Sequence, residues 1–248
     1  MQITTSNGML AHPENYRLEV KSILDVHNSL RQTIAAGKFV AKDKLMPPAK
    51  TSIPDLTWDC GIEQSAQKHA SQCQFEHSTG FFHFPLVVAS GPLFILSDGV
   101  RTPAQRRLQH TPGFVFDLQW GSIYVQLRQQ SYREPREQDS FSSHCDCLNN
   151  LGENLYMMWS SVKVTIDGQG KAASDSWANE FQEYGWSDIK FTMDVFNSGV
   201  GHATQMAWQK TTQIGCGMAL CKGEKSVLVT CQYRDAGNYI NQYVYIPK

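Results

Sequence analysis

The side chains in this sequence best suited to chemistry are two histidines, two glutamates, a serine and a set of cysteines. His77 stands beside Ser78, Glu153 follows a glycine, Glu180 interrupts an aromatic run, and His202 follows Gly201. Two imidazoles and two carboxylates can hold a borderline metal such as zinc when each ring is neutral and fixed by an acceptor behind it. Sequence spacing alone does not bring these four together. Ser78 next to His77 has the composition of a nucleophile beside its base, but adjacent residues seldom reach the geometry required. A loop hydroxyl bonded to backbone is the plainer reading. Neither His-Glu-x-x-His, the usual mark of a zinc peptidase, nor Gly-x-Ser-x-Gly, that of a serine hydrolase, occurs in the sequence.

The cysteines are more informative. Ile214 to Cys221 and Ser226 to Tyr233 read as two strands around the turn Lys222-Gly223-Glu224-Lys225. That turn sets Cys221 opposite residue 226 and Cys216 opposite Cys231, close enough for a disulfide. Cys221 lies an odd number of residues from Cys216, so it points through the other face and needs a partner elsewhere. Asp59 is a good N-cap for a helix with Ile62, Ala66, Ala70 and Cys73 on one side. Cys73 then faces the core, and a Cys73–Cys221 bridge follows. Cys60 is left over. Cys145 and Cys147 form a weak Cys-x-Cys metal motif with no second pair to complete it.

Other elements must position these groups. Ile23, Val26, Leu30 and Ile34 make Tyr16 to Ala36 an amphipathic helix, stopped by Gly37. Lys42 to Pro54 is polar and proline-bearing, and reads as a loop. Ser174 or Asp175 is expected to cap a helix with Trp177, Glu180, Phe181 and Tyr184 on one face, and Gly185 to stop it. Glu180 in that stripe needs a partner, because burying an unpaired carboxylate is expensive. Another helix is expected from Gly201, with His202, Gln205, Met206 and Gln209 sharing a face. Phe75, Leu155, Trp177 and Met206, beside the four polar residues, are expected in the core.

Five stretches, in order, resemble the CAP superfamily of cysteine-rich secretory, antigen 5 and pathogenesis-related class 1 proteins, and most of all its nematode venom-allergen-like, activation-associated secreted members. They are His27-Asn28-Ser29-Leu30-Arg31, Phe75-Glu76-His77-Ser78, Leu151-Gly152-Glu153-Asn154-Leu155-Tyr156, Gly201 to Gln209 with the cysteine hairpin, and Arg234-Asp235-Ala236-Gly237-Asn238-Tyr239. The usual proline of the last stretch is missing. The resemblance implies one α-β-α sandwich: a three- or four-stranded antiparallel sheet between helical layers, pinned by disulfides. It implies that His77, Glu153, Glu180 and His202 line a cleft, that His77 and His202 bind zinc in some members, and that His27 is structural. It also implies a secreted, non-catalytic ligand-binding or immunomodulatory scaffold, whose partners are lipids or sterols or host proteins. The competing reading is a metal-dependent hydrolase with Glu153 or Glu180 as general base.

The chain has 248 residues, enough for one sizeable core or two small ones, and a formal net charge of -1, which leaves no footprint for nucleic acid. No apolar run approaches the length of a membrane span. Met1 to Tyr16 lacks the basic-then-apolar pattern of a signal peptide, whereas seven cysteines point to an oxidising, extracellular setting. The expectation is therefore a secreted protein whose native N-terminal exon is not part of this chain. A cysteine beyond Ile246-Pro247-Lys248, usual in nematode members, would pair with Cys60. Residues 1–15 read as an N-terminal extension, with 16–80 and 148–248 forming the CAP domain. Residues 81–147 are anomalous: neither helical nor strand periodicity persists, and an unstructured loop of that length is improbable in a compact domain. They read as translated intron or a mis-joined gene model, with a lineage-specific flap over the pocket as the alternative.

Overall fold

A computed structural model of the chain describes residues 13–78 and 150–248, all within one compact unit. The expectations for residues 81–147, for Cys145 and Cys147, and for the extension up to residue 12 fall outside the described residues.

Helix α1 (Pro13–Ala35) buries Ile23, His27, Leu30, Arg31 and Ile34, a stripe at three- and four-residue spacing. The chain leaves it through Gly37 at φ +66°. Two short strands, β1 (Val40–Ala41) and β2 (Lys44–Leu45), pair antiparallel within the stretch expected as loop. Strand β3 (Thr57–Trp58) leads into α2 (Cys60–Ala70), where Asp59 caps the helix by accepting from the Ile62 N–H. After the described break come β4 (Gly152–Trp159), α3 (Gln169–Glu183), α4 (Met193–Asn197), α5 (Gly201–Ala207), β5 (Gln213–Cys221) and β6 (Ser226–Arg234).

The main sheet runs β3-β5-β6-β4. The hairpin register is the expected one, with Cys216 opposite Cys231 and Cys221 opposite Ser226. Strand β4 pairs antiparallel with β6, while the two-residue β3 is parallel to β5, so the sheet is mixed rather than purely antiparallel. The chain holds disulfides Cys73–Cys221 and Cys216–Cys231, and Cys60 is a free thiol.

Strand alternation explains the two layers. On one face of the hairpin Ile214, Cys216, Met218, Val227, Val229, Cys231 and Tyr233 join the main core with residues of α1, α3 and α5, among them Ile23, Trp177, Phe181 and Met206. On the other face Gly215, Gly217, Ala219 and Cys221 meet α2. A Cβ at Gly217 would lie 2.2 Å from the Cα of Gln67, so these glycines let α2 rest directly on the strand backbone. The result is the α-β-α sandwich.

Helix α2 ends at Ala70, short of the Cys73 expected on it, and the start of α3 and the end of α5 also differ from expectation; α1 accounts for these last two. Helix α3 begins at Gln169, not near Ser174, and its N-cap Gly168 makes no side-chain cap bond. The buried Glu19 carboxylate instead accepts from the N–H groups of Gly168, Gly170 and Lys171 at 2.9, 2.6 and 3.3 Å. Ser174 is buried mid-helix and donates to the Gly170 carbonyl. Helix α5 ends at Ala207, before Gln209, because buried Arg31 donates to the carbonyls of Met206, Trp208 and Thr211. Negative charge at one helix start and positive charge at another's end match the helix dipoles. Burial pulls the Arg31 guanidinium down to about 10, still charged at neutral pH.

Candidate functional site

His77 lies in the segment after α2, four residues beyond the Cys73–Cys221 bridge that ties this segment to β5. Its Nδ1–H donates to Glu153 Oε1 at 3.1 Å. The same carboxylate accepts from the Ser78 N–H (2.9 Å), the Ser78 hydroxyl (2.5 Å) and Gln232 Nε2 (2.9 Å). Burial alone would push the Glu153 carboxyl up, but the hydrogen bonds from His77, Ser78 and Gln232 outweigh it and hold the group down at about 2. Ser78 is thus a donor to a carboxylate rather than the backbone-bonded loop hydroxyl expected.

His202 opens the second pair. Its Nδ1–H donates to Glu180 Oε1 at 2.5 Å, and the Ala203 N–H donates to Glu180 Oε2 at 3.0 Å. The ring stacks on Trp177, with centroids 5.9 Å apart. Glu180, the odd carboxylate in the aromatic stripe, therefore has its partner on the next helix but one. In both pairs the proton on Nδ1 is committed to a carboxylate, which puts the lone pair of a neutral ring on Nε2.

Strand β4 stands between the pairs. Glu153 shares a strand face with Met157, which packs on the α2 side with Ala219 and Leu228. Asn154 points the other way, and its Nδ2 donates to the His202 carbonyl (3.2 Å) and to the Tyr233 hydroxyl (3.1 Å). Tyr233 in turn donates to His27 Nε2, whose Nδ1–H is held by the Ile23 carbonyl. Burial drives His27 down to about 4, so it stays neutral in the core, a structural residue. The structure joins the four site residues as two pairs. Among the described residues no group of three or more His, Cys, Asp or Glu side chains is arranged to hold a metal ion.

The signature residues around the pairs set backbone position. Gln205 Oε1 accepts from the Gly237 N–H, and Asn238 bridges the Gly201 carbonyl and the Thr204 hydroxyl. A Cβ at Gly152 would fall 2.1 Å from Gln205 Oε1, which explains the glycine before Glu153. Leu155, Trp177 and Met206 are core residues as expected, but Phe75 is 55% exposed because it sits on the segment outside α2. Gln232 escaped sequence reasoning: it meets Glu153 only through the β4–β6 register, which no local signal encodes.

Comparisons with known proteins agree with this architecture. The model of the cysteine-rich secretory protein family, CAP, matches residues 24–88 and 126–233, leaving 89–125 unmatched between them. Similar proteins include a cysteine-rich venom protein of Tityus serrulatus (26% identical, 91% of this chain) and the Ancylostoma secreted protein of Ancylostoma caninum (25%, 90% of this chain). The chain spans only 39% and 38% of those two relatives, but 80% of venom allergen 5 2 of Polybia paulista, at 27% identity. Among solved structures, BmVAL-1 aligns with TM-score 0.62 at 26% identity, over 99% of this chain and 87% of its own. NaASP2, solved with Zn2+, aligns with TM-score 0.60 at 26% identity, over 98% and 90%. The chain belongs to the cysteine-rich secretory protein (CAP) family.

Proposed function

We propose that this protein is an extracellular, non-catalytic binding scaffold with a His–Glu pair on either side of β4, in which His77 and His202 are the residues that would hold a zinc ion. The observation that carries the reading is the state of the two carboxylates. Each is already the acceptor for an imidazole Nδ1–H and for a backbone N–H, which is the arrangement that orients a metal-ligating histidine. A zinc ion there would have two protein ligands, with solvent or a partner's groups supplying the others. Such a site suits recognition of a second molecule more than enclosure of a structural ion. NaASP2 having been solved with Zn2+ supports the same choice of metal.

A hydrolase would require Glu153 or Glu180 as general base. Glu153 accepts four hydrogen bonds and is held at about 2, far from the near-neutral value that makes proton transfer efficient. Glu180 is spent on His202 and Ala203. An extracellular setting is supported by the two disulfides and by the relative called Ancylostoma secreted protein. Among the described residues no helix is long and apolar enough to cross a membrane. Host proteins, lipids and sterols are the partner classes to screen. The reading is tested by titrating zinc into the wild type and into the His77→Ala/His202→Ala double variant. Stoichiometric binding lost in the folded double variant is expected. Binding that survives there places the metal elsewhere, and peptidase turnover abolished by Glu153→Gln or Glu180→Gln would favour the hydrolase.

A further inference from the structure

One end of the main sheet holds apolar side chains in solvent. Strand β4 ends on Trp159, 55% exposed, and the loop beyond it presents Val162, 66% exposed. Two backbone bonds clamp that loop to the β5–β6 turn. The Ser160 N–H donates to the Lys225 carbonyl and the Val164 N–H to the Glu224 carbonyl, both at 2.8 Å. The turn has an uncommon conformation: Lys222, Gly223 and Glu224 have φ of 51°, 68° and 66°, a region that residues with side chains seldom occupy. With this backbone, Lys222 Nζ lies 3.9 Å from the centroid of the Trp159 ring.

The chemistry of this tip narrows its partner. Lys163, Lys222 and Lys225 stand against one carboxylate, that of Glu224, which pairs with Lys163 at 2.6 Å. Among the described residues neither Lys222 nor Lys225 has an ion pair, so the excess positive charge calls for an anionic partner. Two exposed apolar side chains are too few for a stable protein interface, which buries about 800 Å² on each partner. They suit a bilayer, whose boundary region takes up single indole and aliphatic groups while its anionic headgroups attract lysine. Lys222 against the indole sets charge and ring side by side, as the boundary between headgroup and acyl chain requires. We propose that this tip docks the protein on an anionic phospholipid surface, Trp159 and Val162 entering the boundary region and Lys222 and Lys225 meeting the headgroups. The proposal goes beyond the metal-binding reading and needs no zinc at the His–Glu pairs.

Sedimentation of the full chain with vesicles tests it, with a chelator present so that no metal bridges protein and lipid. Binding to phosphatidylcholine vesicles containing phosphatidylserine is expected, with little to phosphatidylcholine alone, and it should weaken as salt rises. Lys222→Ala and Lys225→Ala should each lower the affinity about fivefold, and Trp159→Ala about tenfold or more. All three side chains are exposed, so these variants should fold. Trp159→Phe should still bind, but lose much of the fluorescence quenching that lipids brominated along the acyl chain impose on the wild type. Zinc titration of the same variants should be unchanged, so the two readings stand or fall separately. Equal binding to both kinds of vesicle, or binding to anionic vesicles undiminished in all three alanine variants, overturns the proposal. Capture of soluble polyglutamate without vesicle binding also overturns it, and makes the partner an acidic protein.

Discussion

The two His–Glu pairs have the same chemistry and opposite construction. Glu180 and His202 sit on two helices that pack together, and their carboxylate meets one imidazole and one amide. Glu153 sits on an edge strand, and its partners come from two elements: His77 and Ser78 on the segment after α2, and Gln232 on β6. The first pair is held by helix packing. The second is held by the carboxylate itself, which gathers the segment that the Cys73–Cys221 bridge ties to β5. The Glu153 side chain is fully buried while that of His77 is 40% exposed. The pair therefore places a saturated anion beneath an accessible ring.

The sharpest way to break the symmetry is to cut the tether of one pair. Cys73→Ser/Cys221→Ser removes a bridge between residues 148 apart in sequence and should cost about 2–5 kcal/mol. Two-dimensional NMR should then show the His77 ring resonances broadened or shifted and those of His202 unchanged. Equal disturbance at both rings would show that the pairs are not held independently.

Next in size is Glu153→Gln, expected to cost about 1.5–3 kcal/mol in denaturant unfolding at pH 7, since it weakens charge-assisted bonds from four donors. The pH dependence has a defined sign. The Glu153 carboxyl is held at about 2 against an ordinary 4.5, so its contribution is present above pH 4.5 and fades as pH falls towards 2. The stability gap between wild type and Glu153→Gln should close across that interval. A gap that widens on acidification would contradict the assignment.

Glu180→Gln should cost less, about 1.5 kcal/mol, because this carboxylate has two donors. It frees the tautomer of His202, and zinc affinity measured by calorimetry should fall about 10–100-fold. Ser78→Ala is the smallest change, about 0.5–1 kcal/mol, with His77 made more mobile and His202 untouched.

Elements whose cause is local were legible in the sequence. The stripe of α1, the Asp59 cap, and the hairpin turn that sets Cys216 against Cys231 all follow from residues close together along the chain. So does the opposite facing of Cys221, because strand alternation is fixed by the backbone. The helix boundaries set by Glu19 and Arg31 were not legible. A sequence shows a local cap, whereas these charges reach α3 and α5 from a helix more than a hundred residues away. The residue types of the site were visible: His77, Glu153 and His202 sit in short signature stretches, and Glu180 stands out as a carboxylate in an aromatic stripe. Their pairing was not: Glu153 meets His77 and Gln232, and Glu180 meets His202, only after the β4–β6 register and the α3–α5 packing are in place. The sequence by itself determined which groups were available, while tertiary structure alone decided which carboxylate oxygen faces which ring nitrogen. Hydrogen bonds form over about 3 Å, and the chain carries no record of separation on that scale until it is folded.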